Sequence, residues 1–151
     1  MLIDTRTTFA DGEDLNTGAA GTYLIGDQID LSVQRDIGNG SDHLYFVALV
    51  DTTATSAGSA TLQLKVVSDA QAAIATDGTA TEHIITETFD VADLDAGTRI
   101  FVGRVPLEGP EYERYLGLLQ VTGTAAFTAG AIDAFFTPQP DAWKAYAEGQ
   151  N

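Results

Sequence analysis

The stretch of residues 59–69 constrains the fold most. It reads Ser-Ala-Thr-Leu-Gln-Leu-Lys-Val-Val-Ser-Asp, with Leu62, Leu64 and Val66 alternating against Thr61, Gln63 and Lys65. Alternation at period two buries one face and wets the other, which predicts an antiparallel strand in a sheet packed on one side. Residues 44–50, Leu-Tyr-Phe-Val-Ala-Leu-Val, form a continuous apolar run with turn residues on both sides. Its length predicts a central strand buried on two faces. The Thr-, Ser- and Ala-rich residues 51–58 are expected to join these two strands as a hairpin with a long loop.

The rest of the chain repeats this texture. Ile29, Leu31 and Val33 alternate with polar residues as a half-buried strand, and Gly38-Asn39-Gly40-Ser41-Asp42 is the strongest turn signal. Further strands are expected at 84–89, at 99–105 (stopped by Pro106, which cannot donate to a ladder), at 115–122 and at 131–137. Residues 1–9 read as an edge strand or an extended arm, 11–14 as a turn, and 15–26 as small and polar with no helix. Residues 69–75 are Ala-rich enough for a helical turn, 93–97 turn the chain again, 107–114 form an exposed loop, and 123–130 are a loop of small residues. About eight strands with no sustained period near 3.6 predict an all-β chain, an antiparallel β-sandwich of jelly-roll type.

One domain is expected, since a single core serves roughly 100–200 residues and the chain has 151. Residues 1–137 form the sandwich, with an extended N-terminal arm, and 138–151 form a short C-terminal tail. Pro138-Gln139-Pro140 is expected to end the last strand, and Asp141 to cap a short helix over 142–148 closed by Gly149. A helix of about two turns is marginal alone in water. It is expected either to fold over its own sandwich or to reach a neighbouring subunit, with Trp143 and Tyr146 as anchors.

Charge limits the partners. The chain carries 22 acidic and 7 basic residues, a formal net charge of −15, and such a field repels nucleic acid and anionic membrane. The acidity fits solubility, salty surroundings or a basic partner surface. The sequence opens with no signal-peptide pattern and has no run long enough to cross a bilayer, so cytosolic synthesis is expected.

No catalytic or metal constellation emerges. With 0 Cys and 2 His, His43 and His83 sit in no nucleophile motif and are too few for a usual zinc site. Asp93-x-Asp95-x-Gly97 begins like a calcium loop, but Arg104 stands where the closing acid is needed. No glycine-rich loop carries a phosphate-binding pattern. The expectation is a chain that is not an enzyme, uses no cofactor and works by binding.

Three stretches carry a resemblance: residues 1–11 (Met-Leu-Ile-Asp-Thr-Arg-Thr-Thr-Phe-Ala-Asp), residues 58–69, and residues 121–132 (Val-Thr-Gly-Thr-Ala-Ala-Phe-Thr-Ala-Gly-Ala-Ile). Together, and in this order, they resemble the Bbp16-like capsid cement proteins of tailed bacteriophages. The resemblance implies a jelly roll on the outer surface of the icosahedral head. There it would bridge subunits of the major capsid protein, work as a dimer or trimer, carry no catalytic residues and assemble in the host cytoplasm. Candidate inter-subunit contacts are Ile3, Arg6 and Phe9 of the arm and Pro138, Trp143 and Tyr146 of the tail. The competing expectation is a carbohydrate- or receptor-binding module of a virion, which needs aromatics such as Tyr112, Tyr115, Trp143 and Tyr146 on one face.

Overall fold

The computed structural model describes residues 5–32 and 43–140. After a 3-10 turn at Thr5–Thr7, the strands are β1 (Thr8–Asp14), β2 (Gly21–Asp30), β3 (Tyr45–Ser56), β4 (Thr61–Asp69), β5 (Thr81–Ile85), β6 (Phe89–Asp90), β7 (Arg99–Arg104), β8 (Tyr115–Gly123) and β9 (Phe127–Thr137). They form a four-stranded sheet in the order β1-β9-β3-β7 and a five-stranded sheet in the order β2-β8-β4-β5, with β6 beside β4. The pairs β1 with β9, β2 with β8, β3 with β7 and β4 with β5 are nested and antiparallel. A long ribbon folded back on itself and rolled into two sheets gives this order, which is the jelly-roll arrangement.

The alternation in β4 works as expected. Leu62, Leu64 and Val66 enter the core, and Thr61, Gln63 and Lys65 are only half-buried. Strand β3 is central and buried on both faces through Phe46, Val47, Ala48, Leu49 and Val50. Phe46, Ala48 and Val50 face the inter-sheet core, while Val47 and Leu49 join Phe135 in a separate cluster on the outer face of their sheet.

The expected β3–β4 hairpin does not form. β3 runs on through the predicted connector to Ser56 and pairs with β9 and β7, whereas β4 pairs with β8 and β5 in the other sheet. The short link between them crosses from sheet to sheet, because each strand finds its partners far away in sequence. The predicted turn at 11–14 is the bulged end of edge strand β1, where Gly12 takes φ 64°. The small, polar stretch 15–26 conceals the start of β2. Within β2, Gly26 has φ 67°, and a Cβ there would meet the Phe9 carbonyl oxygen at 2.0 Å. Only glycine lets the β1 and β2 edges close on each other here.

Residues 69–75 form no helical turn. The Asp69 carboxylate accepts the N–H of Gln71 at 3.0 Å and of Ala75 at 3.1 Å, a side-chain alternative to helical bonding. This pins residues 70–80 over the outer face of the five-stranded sheet, where Ile74 and Ala80 pack on Val67 and Leu119.

Candidate interaction surface

The six contacts predicted from sequence separate. Ile3, Trp143 and Tyr146 lie outside the described residues, as do most of the expected arm and the tail beyond Pro140. Phe9 is 1% exposed. Its ring meets Phe136 edge-on at 5.1 Å and Phe46 at 6.0 Å, so the side chain is spent on its own subunit's core and offers nothing to a neighbour. Arg6 and Pro138 are exposed. They flank one end of the four-stranded sheet, because Thr8 pairs with Phe135 and Thr137 closes β9 against Tyr45.

That end of the sheet carries further basic groups. Arg104 pairs with Tyr45 at the edge of the sheet, and its Nη2 donates to Nδ1 of His43 at 2.6 Å. Along β7, Arg99, Val102 and Arg104 stand opposite Leu49, Val47 and Tyr45. Val102 is 36% exposed, so it carries the apolar Val47–Leu49–Phe135 cluster out to the sheet edge between two arginines. Among the described residues no partly buried apolar side chain packs on that cluster.

Acidic groups begin in the row of the same sheet that holds Leu49 and Arg99. Asp133 on β9 accepts the Gly12 N–H at 2.7 Å across the β1 bulge. Burial pushes its carboxyl above the ordinary range; the Gly12 bond opposes this, and the charges of Asp51 and Asp11 add to it. Glu13 and Asp14 are exposed beside it. No group of three or more His, Cys, Asp or Glu side chains among the described residues is placed to hold a metal ion.

A buried polar cluster lies under the acidic loop that precedes β8. Ser68 Oγ is 2.7 Å from Nε2 of His83 and accepts the Glu113 N–H at 3.0 Å. The imidazole lies flat on the Tyr112 ring, with centroids 3.8 Å apart and planes 16° from parallel. Tyr112 Oη donates to the Pro106 carbonyl at 2.7 Å, and burial pushes its pKa up to about 12. Burial lowers the His83 pKa, with the Glu113 charge opposing. The Ser–His spacing suits a nucleophile and its base, but Ser68 is wholly buried. Its oxygen bonds a backbone N–H, so the cluster holds the loop in place. Next to it, Arg114 grips Asp30 through two bonds of 2.9 and 3.0 Å and lies over the Tyr115 ring. This holds the Asp30 carboxyl below its ordinary range.

Sequence reasoning finds His83 in no motif and places Tyr112 in an exposed loop. Tyr112 is buried, and a bulge in β5 between the Val66–Ile84 and Val67–Glu82 pairs is what aims His83 inward. A bulge leaves no composition signal.

The Bbp16 family model matches residues 9–136. The chain belongs to the Bbp16 family. The match begins at Phe9 in β1 and ends at Phe136 in β9, so the Bbp16 region is the rolled sandwich itself with the buried polar cluster, and Arg6 and Pro138 fall just outside it. None of the curated proteins compared with the chain matches it.

Proposed function

We propose that this Bbp16 family member is a capsid cement protein of a tailed bacteriophage. It binds the outer surface of the icosahedral head and bridges neighbouring subunits of the major capsid protein. Family membership over the sandwich is the observation that carries the reading. Physical features support it. Two sheets sharing one core make a stiff plate, and rigidity suits a part that resists deformation of a shell. The outward face of the four-stranded sheet offers an exposed apolar edge at Val102 flanked by Arg99 and Arg104, and Asp133 stands across Leu49 from Arg99. Such a pattern of charge around an apolar edge fixes orientation on a partner through charge complementarity. A head repeats one interface many times, so modest contacts add up.

In this reading the protein acts without catalysis or cofactor, as a dimer or trimer on the virion surface. Arg6 and Pro138 sit at the contact end of the sheet.

Cosedimentation of the purified protein with expanded heads that lack it tests the proposal. Saturable binding at symmetry-related positions, with greater resistance of the heads to heat, is expected. No binding over a range of salt concentrations overturns it, and a polysaccharide screen would then test the carbohydrate- or receptor-binding alternative.

A further inference from the structure

The Ser68, His83, Tyr112 and Glu113 cluster has a hydrogen-bond arrangement that closes in only one protonation state. Ser68 Oγ already accepts the Glu113 N–H. Its own proton then needs an acceptor, and Nε2 of His83 at 2.7 Å supplies one when the ring is neutral with its hydrogen on Nδ1. In the imidazolium both ring nitrogens are donors. Ser68 Oγ would then face two N–H donors while its own hydroxyl proton lost its acceptor, in a residue with no exposed surface.

We infer that this cluster is a pH-sensitive latch. Neutral His83 fixes the acidic loop ahead of β8 to the end of the sandwich, and protonation of the ring releases it. The loop is worth latching because it presents Leu107, 52% exposed, beside the exposed Glu108 and Glu111. The charged and titratable groups around the ring act as follows. From the loop, the Glu113 carboxylate favours the imidazolium but is held by Thr81 Oγ1 at 2.8 Å. Tyr112 is neutral throughout, its hydroxyl bound to Pro106. On β5 itself Glu82 is engaged by Lys65 of β4; β4 brings the Ser68 hydroxyl to the ring, and its Asp69 carboxylate is taken by the Gln71 and Ala75 N–H groups. Arg114 is held by Asp30. Desolvation therefore opposes the charged ring more strongly than Glu113 supports it. The latch is independent of what the outer surface meets, so its failure would leave the cement proposal untouched.

The test is NMR on the intact chain between pH 8 and 5, following the His83 ring protons and the exchange protection of the Glu113 amide. Protection of Glu113, corrected for intrinsic exchange, is expected to fall roughly tenfold, the scale of one lost hydrogen bond, in step with His83 titration. In His83→Gln, which keeps a side-chain acceptor but cannot titrate here, that step should vanish. Glu113 protection that stays level while His83 titrates, or a step that persists in His83→Gln, overturns the latch.

Discussion

The two sheets share one core and differ on their outer faces. The five-stranded sheet seals its outward apolar residues itself. Val67 and Leu119 are covered by Ile74 and Ala80 of the 70–80 segment, with Leu24, Ala75 and Tyr115 against them. The four-stranded sheet has an outward cluster of Val47, Leu49 and Phe135, equally buried, on which no partly buried apolar residue among those described is packed, and it extends to exposed Val102. One face is finished by a loop that a single carboxylate pins. The other runs out to an edge with an apolar group between two arginines. The two outer faces thus differ, among the described residues, in what packs on them: a pinned segment on one, and on the other an apolar row that reaches an exposed edge.

The strongest way to break this contrast is Phe135→Ala. If the outer cluster is packed as tightly as a core, chemical denaturation should register a loss of about 3–5 kcal/mol. A loss below about 1 kcal/mol would mean that the cluster contributes little packing. Asp69→Ala attacks the finished face instead. It removes the acceptor for two backbone N–H groups and should cost about 1–2 kcal/mol, with faster amide exchange at Gln71 and Ala75. Unchanged exchange there would show that the carboxylate does not pin the segment.

A smaller effect is expected at Asp133. Folding raises its pKa above the ordinary 3.8, so the folded chain binds more protons than the unfolded chain between that value and the raised one. Its contribution to stability therefore falls as pH climbs through this window, and above it the cost of the charged carboxylate is fully present. Asp133→Asn keeps an oxygen for the Gly12 N–H and removes that cost. At neutral pH it should gain a few tenths of a kcal/mol after solvent screening, and the pH dependence from this window should disappear. A variant less stable than the parent at pH 7 would contradict the assignment.

The smallest effect on folding belongs to the exposed edge. Val102→Glu should stay within about 0.5 kcal/mol of the parent in stability while weakening attachment to heads in the cosedimentation assay. Equal attachment would move the contact away from β7.

How much of this was legible in the sequence follows from how local each signal is. The alternation in 61–66 and the continuous run in 44–50 are local consequences of burying one face or two, and both strands stand where periodicity puts them. The β3–β4 hairpin was misread because partner choice in a jelly roll is set by nested long-range pairing, which adjacent residues do not encode. The small, polar stretch 15–26 holds the start of β2, and acidic 11–14, with turn composition, lies in β1. Their glycines serve bulges and a close approach to Phe9, not chain reversal. Of the candidate contacts, Phe9 was legible as apolar, but not as a core ring locked between Phe46 and Phe136. Arg6 and Pro138 come to the same end of the sheet through the β1–β9 register. Val102 became a candidate because β7 is an edge, a property of the assembled sheet.

The central claim is that this face meets the outside of a phage head, and imaging of expanded heads saturated with the protein tests it most directly. The account predicts density at symmetry-related positions on the outer surface, with the β7 edge and the Arg6–Pro138 end turned toward the shell. Heads that remain bare, or that bind the protein through the 70–80 segment on the opposite face, would contradict it.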